Sequence, residues 1–227
     1  MRTGALWPFR AKSSRGDLTT PHIVPFKRRA SELLSVATLI KSVATAAVGL
    51  LLGLASASLV LSRESPFDVL HLGPWTLETK AGSLDADPFT RAQLERTGAI
   101  PLGLGEGLQF VARTDESGRA LDPHCAYRVG PRAPAARYWT LEAADATGFP
   151  IANPAERYVL RSSEISRKEN GAFEIFVSPL AHAGNWLPVG PSASLILILR
   201  LYDSPLGAAS GEIEKAAAPT IVREACA

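Results

Sequence analysis

Two hydrophobic periods divide this chain. From Ser42 to Leu61 the residues SVATAAVGLLLGLASASLVL run without a charge. At about 1.5 Å per residue a helix of that length spans the roughly 30 Å hydrocarbon core of a bilayer. Beyond it the period falls to two, as in half-buried strands. Leu108, Phe110 and Ala112 alternate with Gln109 and Arg113, and Trp139, Leu141 and Ala143 with Tyr138, Thr140 and Glu142. Tyr158 and Leu160 alternate with Arg157 and Val159, and Phe173, Ile175 and Val177 flank Glu174 and Phe176. His71 to Leu77 leads into a strand, and Tyr127 to Val129 is a short one. Leu195 to Leu199 is apolar at every position, which predicts a central strand buried on both faces, and Arg200 to Tyr202 carries it toward the rim.

Turn residues separate these runs at Asp115–Gly118, Asp145–Gly148 and Asn170-Gly171. One soluble helix is predicted: Asp87 is an N-cap residue, Pro88 suits the first helical position, and Gly98 ends the run. Phe89, Ala92 and Leu94 are its expected inward face. Short strands, Gly/Pro-rich turns and one short helix predict an antiparallel β-sandwich, jelly-roll-like, behind a single transmembrane helix. A partly open barrel is the alternative. The expected organisation is a basic, disordered leader over 1–41, the span over 42–61, a connector over 62–70 and the β-domain over 71–227. Ala216 to Ala227 reads as a loose tail.

The net charge of +2 hides an asymmetry. Eight basic residues, among them Lys27, Arg28, Arg29 and Lys41, precede Arg63 against Asp17 and Glu32, so the remainder of the chain is net acidic. The basic character belongs to the leader and gives no reason to expect nucleic-acid binding. Lys and Arg beside one end of a span hold that end in the cytoplasm. The expected placement is therefore the bacterial inner membrane, single-pass, with a cytoplasmic N-terminus and a periplasmic domain. A cleaved secretory signal is the competing reading, because Ala55-Ser56-Ala57 resembles a cleavage site. Thr45, Gly49, Gly53 and Ala57 recur every fourth residue, a small-residue face suited to pairing with another span or with itself.

Cys125 and Cys226 are the only cysteines. An even count on the oxidising side of a membrane predicts that they bridge, with two free thiols as the alternative.

No residue set reaches the level of a catalytic signature. His22, His71, His124 and His182 show no metal-ligand spacing, so neither a metal nor another cofactor is expected. Gly190 to Ser194 lacks the second glycine of a nucleophile elbow, and Gly103 to Gly107 has no following helix or lysine to cradle phosphate. The carboxylates (Asp85, Asp87, Glu142, Asp145, Glu156, Glu174) read as turn, cap and solvated-face residues. Two polar-aromatic patches stand out, around Asn153 with Arg157 and around Asn185 with Trp186. Each suits either a braced loop corner or a ligand contact, and these four residues are the candidate ligand-binding set.

Several motifs in order carry a resemblance. Trp75, the run Lys80 to Ala92 with Asp85-Ala86-Asp87-Pro88-Phe89, Tyr138-Trp139-Thr140-Leu141, Asn153-Pro154 with Arg157-Tyr158, Gly184-Asn185-Trp186-Leu187-Pro188 and Leu199-Arg200-Leu201-Tyr202 resemble the bacterial "domain of unknown function 1214" family over Leu70 to Cys226. The resemblance implies a β-sandwich, an envelope location in a stand-alone membrane-anchored form, and a partner carrying a companion domain. It supplies no catalytic residues. The function these readings converge on is non-catalytic binding of a partner or ligand by a membrane-anchored periplasmic domain. The alternatives are an envelope hydrolase or carbohydrate-active enzyme that completes its site with a companion domain, and a purely structural spacer.

Overall fold

The computed structural model of the chain describes residues 36–61, 69–98, 100–103, 105–205 and 217–226. The leader before Val36 and most of the expected connector lie outside the described residues.

Helix α1 runs Val36–Leu61, six residues earlier than the uncharged stretch. Lys41 interrupts the apolar run but not the helix, because lysine is itself a good helix former. The Thr45 hydroxyl donates to the Lys41 carbonyl at 2.9 Å. At 26 residues α1 is about 39 Å long, enough to cross a bilayer with some tilt. Its most apolar window has a mean hydropathy of 2.1, and no residue of the helix is buried. A stretch this apolar left exposed is costly in water.

The β-domain is a sandwich of two sheets. The larger has the order β1 (Val69–Leu72), β2 (Trp75–Glu78), β3 (Gly107–Ala112), β9 (Ile196–Tyr202), β5 (Tyr138–Ala144), β6 (Val159–Arg161). The smaller has the order β10 (Thr220–Cys226), β4 (Cys125–Gly130), β7 (Ile175–Ser178), β8 (Asn185–Pro188). All pairs are antiparallel except β7–β8. Inward residues of both sheets share one core: Trp75, Phe110, Leu141, Leu199 and Leu201 from the larger, Tyr127, Ile175, Val177, Leu187 and Ile221 from the smaller. β9 is central, hydrogen-bonded to β3 and β5, and its first four residues are buried together with Leu195 before them, as the apolar run predicts.

Three elements differ from the sequence reading. His71 to Leu77, read as leading into a strand, itself contains the end of β1, the Gly73-Pro74 turn and most of β2, with Gly73 at φ 56°, a conformation that favours glycine. Asn185 to Pro188 is an edge strand, where Asn and Pro are tolerated because the outer edge needs no partner. The tail is not loose: Thr220–Cys226 pairs with β4 and buries Ile221 completely.

Helix α2 spans Pro88–Thr97. One Asp87 carboxylate oxygen accepts from the Phe89 and Thr90 amides at 2.9 and 3.1 Å, and the other from the Thr90 hydroxyl at 2.5 Å. The Thr90 hydroxyl is the main reason the Asp87 carboxyl lies below its ordinary range. Gly98 closes the helix at φ 65°. Asp87→Ala is expected to cost about 1 kcal/mol, read as a shift in the chemical-denaturation midpoint with unchanged slope. The inward face expected of Phe89, Ala92 and Leu94 is only half-buried, and Thr90 is the one buried residue of α2. The helix faces the sheet across a cleft instead of packing tightly upon it.

Candidate functional site

That cleft, of about 190 Å³, is formed by the outer face of the larger sheet and α2. Along β3 and β9 alternate residues point away from the core, so Val111, Ile196 and Ile198 form its apolar floor. Gln93, Leu94 and Thr97 of α2 stand opposite. Gly82 and Leu102 line it where the loops before and after α2 press together. A Cβ at Gly82 would overlap the Leu102 carbonyl oxygen, so the contact requires glycine. The turn Ala146–Gly148 completes the lining. Its geometry comes from Asp145, which accepts from the Thr147 amide at 2.8 Å, the Thr147 hydroxyl at 2.6 Å and the Phe149 amide at 3.1 Å. The Thr147 hydroxyl, chiefly, holds the Asp145 carboxyl below its ordinary range despite partial burial.

The lining brings one charge of each sign, Glu78 and Arg113, among neutral hydrogen-bonding groups. Beside the floor, Arg200 Nε donates to Gln109 Oε1 at 2.9 Å and Nη1 donates to the Glu142 carboxylate. This strip is half-buried and charge-compensated: the Arg200 and Glu142 side chains are 26% and 12% exposed. The Tyr138 and Tyr202 rings pack 5.8 Å apart farther along the same two strands.

The four sequence-derived ligand candidates lie elsewhere, and none lines the cleft. Asn153 is buried. Its amide donates to the Ile151 and Arg157 carbonyls at 3.2 and 3.0 Å, and its carbonyl accepts from the Arg157 amide at 3.2 Å. Asn185 donates to the Ser166 and Glu174 carbonyls at 2.8 Å each and accepts from the Ser166 amide at 2.7 Å. Trp186 Nε1 donates to the Ser178 carbonyl at 3.1 Å. Arg157 joins the two patches, donating to the Trp186 carbonyl at 3.3 Å. These polar groups brace backbone, the corner role of the two considered for them. Asn185→Ala removes three such bonds and is expected to cost about 1–2 kcal/mol by equilibrium denaturation.

The carboxylates a hydrolase would need are engaged locally. Asp87 caps α2, Asp145 closes a turn, Glu142 pairs with Arg200 and Glu174 with Lys168 at 3.0 Å. Among the described residues no group of three His, Cys, Asp or Glu side chains is placed to hold a metal ion.

Two further clusters fix the C-terminal strand. Cys125 and Cys226 form a disulfide that closes a 101-residue separation. Asp115, whose side chain is 2% exposed, meets Arg223 of β10 at 3.1 Å and Arg119 at 3.3 Å. The Arg223 guanidinium also lies 5.4 Å from the Tyr127 ring centre. The sequence reading passed over Asp115 as a turn residue. Nothing in the local pattern points to Arg223, 108 positions away.

Fold and cleft together define a two-sheet β-sandwich with a preformed pocket on its outer face, and the described residues also include an apolar helix long enough to cross a membrane. Residues 106–206 match the family described as "Protein of unknown function (DUF1214)", and over that segment the chain is similar to its members. The match takes in the motifs from Tyr138 to Tyr202; Trp75 and the Lys80–Ala92 run precede it. No curated protein matches the chain. Among solved structures, the VPA0106 protein from Vibrio parahaemolyticus is similar at 22% identity and a TM-score of 0.50, over 62% of this chain and 36% of that one. The chain thus spans about a third of that relative's length, and the likeness shows the fold alone. An uncharacterised protein from Burkholderia cenocepacia aligns at 18% identity and a TM-score of 0.33, over 64% of this chain and 44% of that one.

Proposed function

We propose that this protein is a stand-alone, membrane-anchored member of the DUF1214 family whose β-domain binds a small ligand without transforming it. The observation that carries this reading is the cleft under α2, which is concave, apolar at its floor and edged by a few polar groups, as ligand sites are. The local engagement of Asp87, Glu142, Asp145 and Glu174 supports binding over hydrolysis. In this reading α1 sits in the bacterial inner membrane, signal and anchor at once. Its basic N-terminal flank stays in the cytoplasm and the β-domain lies in the periplasm. The Cys125–Cys226 bridge supports an oxidising compartment. Small residues at Gly49, Gly53 and Ala57 offer α1 a face for a second span, belonging to another copy or to an envelope partner with the companion domain.

Two measurements test the reading. Alkaline phosphatase fused after Ala227 of the full chain is expected to be active; an inactive fusion beside a fluorescent cytoplasmic-reporter fusion overturns the placement. Native mass spectrometry of the full chain, released from its own membrane, is expected to show a non-covalent small-molecule adduct. The bare protein mass alone overturns binding.

A further inference from the structure

We infer that the cleft under α2 takes the end of a phospholipid acyl chain from the bilayer that α1 crosses, an assignment that rests on the anchored, ligand-binding reading above. Three large apolar side chains in the loops that carry its lining are exposed: Leu84 at 94%, Ile100 at 91% and Phe149 at 64%. They come from three separate loops, and each lies within two residues of a cleft-lining position, Gly82, Pro101 and Gly148 respectively. A single exposed apolar residue is ordinary, but three on the loops that build one apolar-floored cleft favour an apolar partner there.

The chemistry of the lining selects the occupant. The floor is aliphatic, Val111, Ile196 and Ile198, with Leu94 and Leu102 above it. No aromatic ring lines the cleft itself, and Phe149 beside Gly148 is a single ring outside it, so a sugar inside finds no stacking face. Glu78 and Arg113 cancel in charge, which gives an anionic or cationic headgroup no net attraction. The volume equals the share of about six water molecules and suits one chain end or a single ring, not a polymer. A protein partner is the less favoured occupant, because the cleft has room for a single chain end and a stable protein interface needs about 800 Å² on each side. The covalent link to α1 keeps bilayer phospholipid at high effective concentration.

The test uses the full chain in nanodiscs of phosphatidylethanolamine and phosphatidylglycerol containing a phospholipid with a photoreactive diazirine at the acyl terminus. Labelled peptides are mapped by mass spectrometry. Adducts are expected on α1 and also on the α2 and β9 segments that line the cleft. The triple variant Leu84→Ser, Ile100→Ser, Phe149→Ser changes only exposed side chains. It is expected to lower cleft labelling about tenfold while leaving α1 labelling and the melting temperature unchanged. Labelling of α1 alone, or cleft labelling that the triple variant leaves intact, overturns the acyl-chain assignment and leaves the anchor standing. Cleft labelling by a headgroup-diazirine lipid but not by the acyl probe also overturns it. Absence of adducts on α1 overturns the anchored reading itself.

Discussion

Replacing both cysteines, Cys125→Ser with Cys226→Ser, is expected to lower the stability of the β-domain by about 4–5 kcal/mol. The bridge closes a 101-residue separation, and the chain-entropy cost of leaving so long a loop open is near the top of the disulfide range. For a domain of this size that corresponds to a fall in melting temperature of about 10–15 °C. What the bridge holds is the edge strand β10 and its contacts. Ile221 is fully buried, the Pro219 carbonyl accepts from Trp75 Nε1 at 2.6 Å, and Arg223 reaches Asp115. The double-serine chain and the reduced wild type should melt together, and both well below the oxidised protein. A loss under about 1 kcal/mol would mean that β10 holds equally well without the bridge.

Asp115→Ala is expected to cost about 2–4 kcal/mol, measured by denaturation at neutral pH. The Asp115 carboxylate accepts from the Ser117 amide and hydroxyl at 2.9 and 2.5 Å and from the Arg119 amide at 3.1 Å, besides facing two guanidinium groups. Its removal leaves Arg223, with only 17% of its side chain exposed, without its counter-charge. Burial pushes the Asp115 carboxyl up, but the Ser117 and Arg119 hydrogen bonds and the Arg119 charge outweigh it, so the group titrates below its usual range. A carboxyl whose pKa is lower folded than unfolded stabilises the fold above its unfolded pKa and loses that contribution as pH falls through the folded value. Asp87 and Asp145 are shifted the same way. Stability should therefore decline as pH drops below about 4, and Asp115→Asn should flatten that decline while lowering the neutral-pH plateau. An unaltered acid limb in Asp115→Asn would show that other carboxylates govern the transition. Because Asp115 and the disulfide both secure β10, the combined variant should lose less than the two separate losses added together.

The pattern along the chain was enough for elements whose causes are local. An uncharged stretch of twenty residues rich in Ala and Leu favours a helix from its own composition, and its cost in water follows from the same composition. The cap at Asp87, the stop at Gly98 and the Asp115 and Asp145 turns each depend on groups within four residues of one another. The run Leu195–Leu199 correctly implied a strand covered on both faces, because a solvent-facing side would have left polar residues at every second position. It thereby carried the one hint of a site on the outer face.

What covers that face was decided only by tertiary structure. The cleft unites Gln93 of α2, Val111 of β3, Thr147 of a turn and Ile198 of β9, which no window of sequence brings together. Asn153, Arg157, Asn185 and Trp186 suit either a braced corner or a ligand contact by sequence, since an amide hydrogen-bonds backbone and solute alike; the fold aims their polar groups at carbonyls and amides of the chain itself. The C-terminal residues read as loose although Ile221, Val222, Ala225 and Cys226 are apolar. Their order comes from β4, the Trp75 hydrogen bond, Asp115 and Cys125, all contributed by residues at least 90 positions away. Local hydrophobic periodicity therefore determined which segments are span, strand and turn. The site and the seat of the last strand depend on long-range partners whose chain-closure entropy is offset only once the whole sandwich forms.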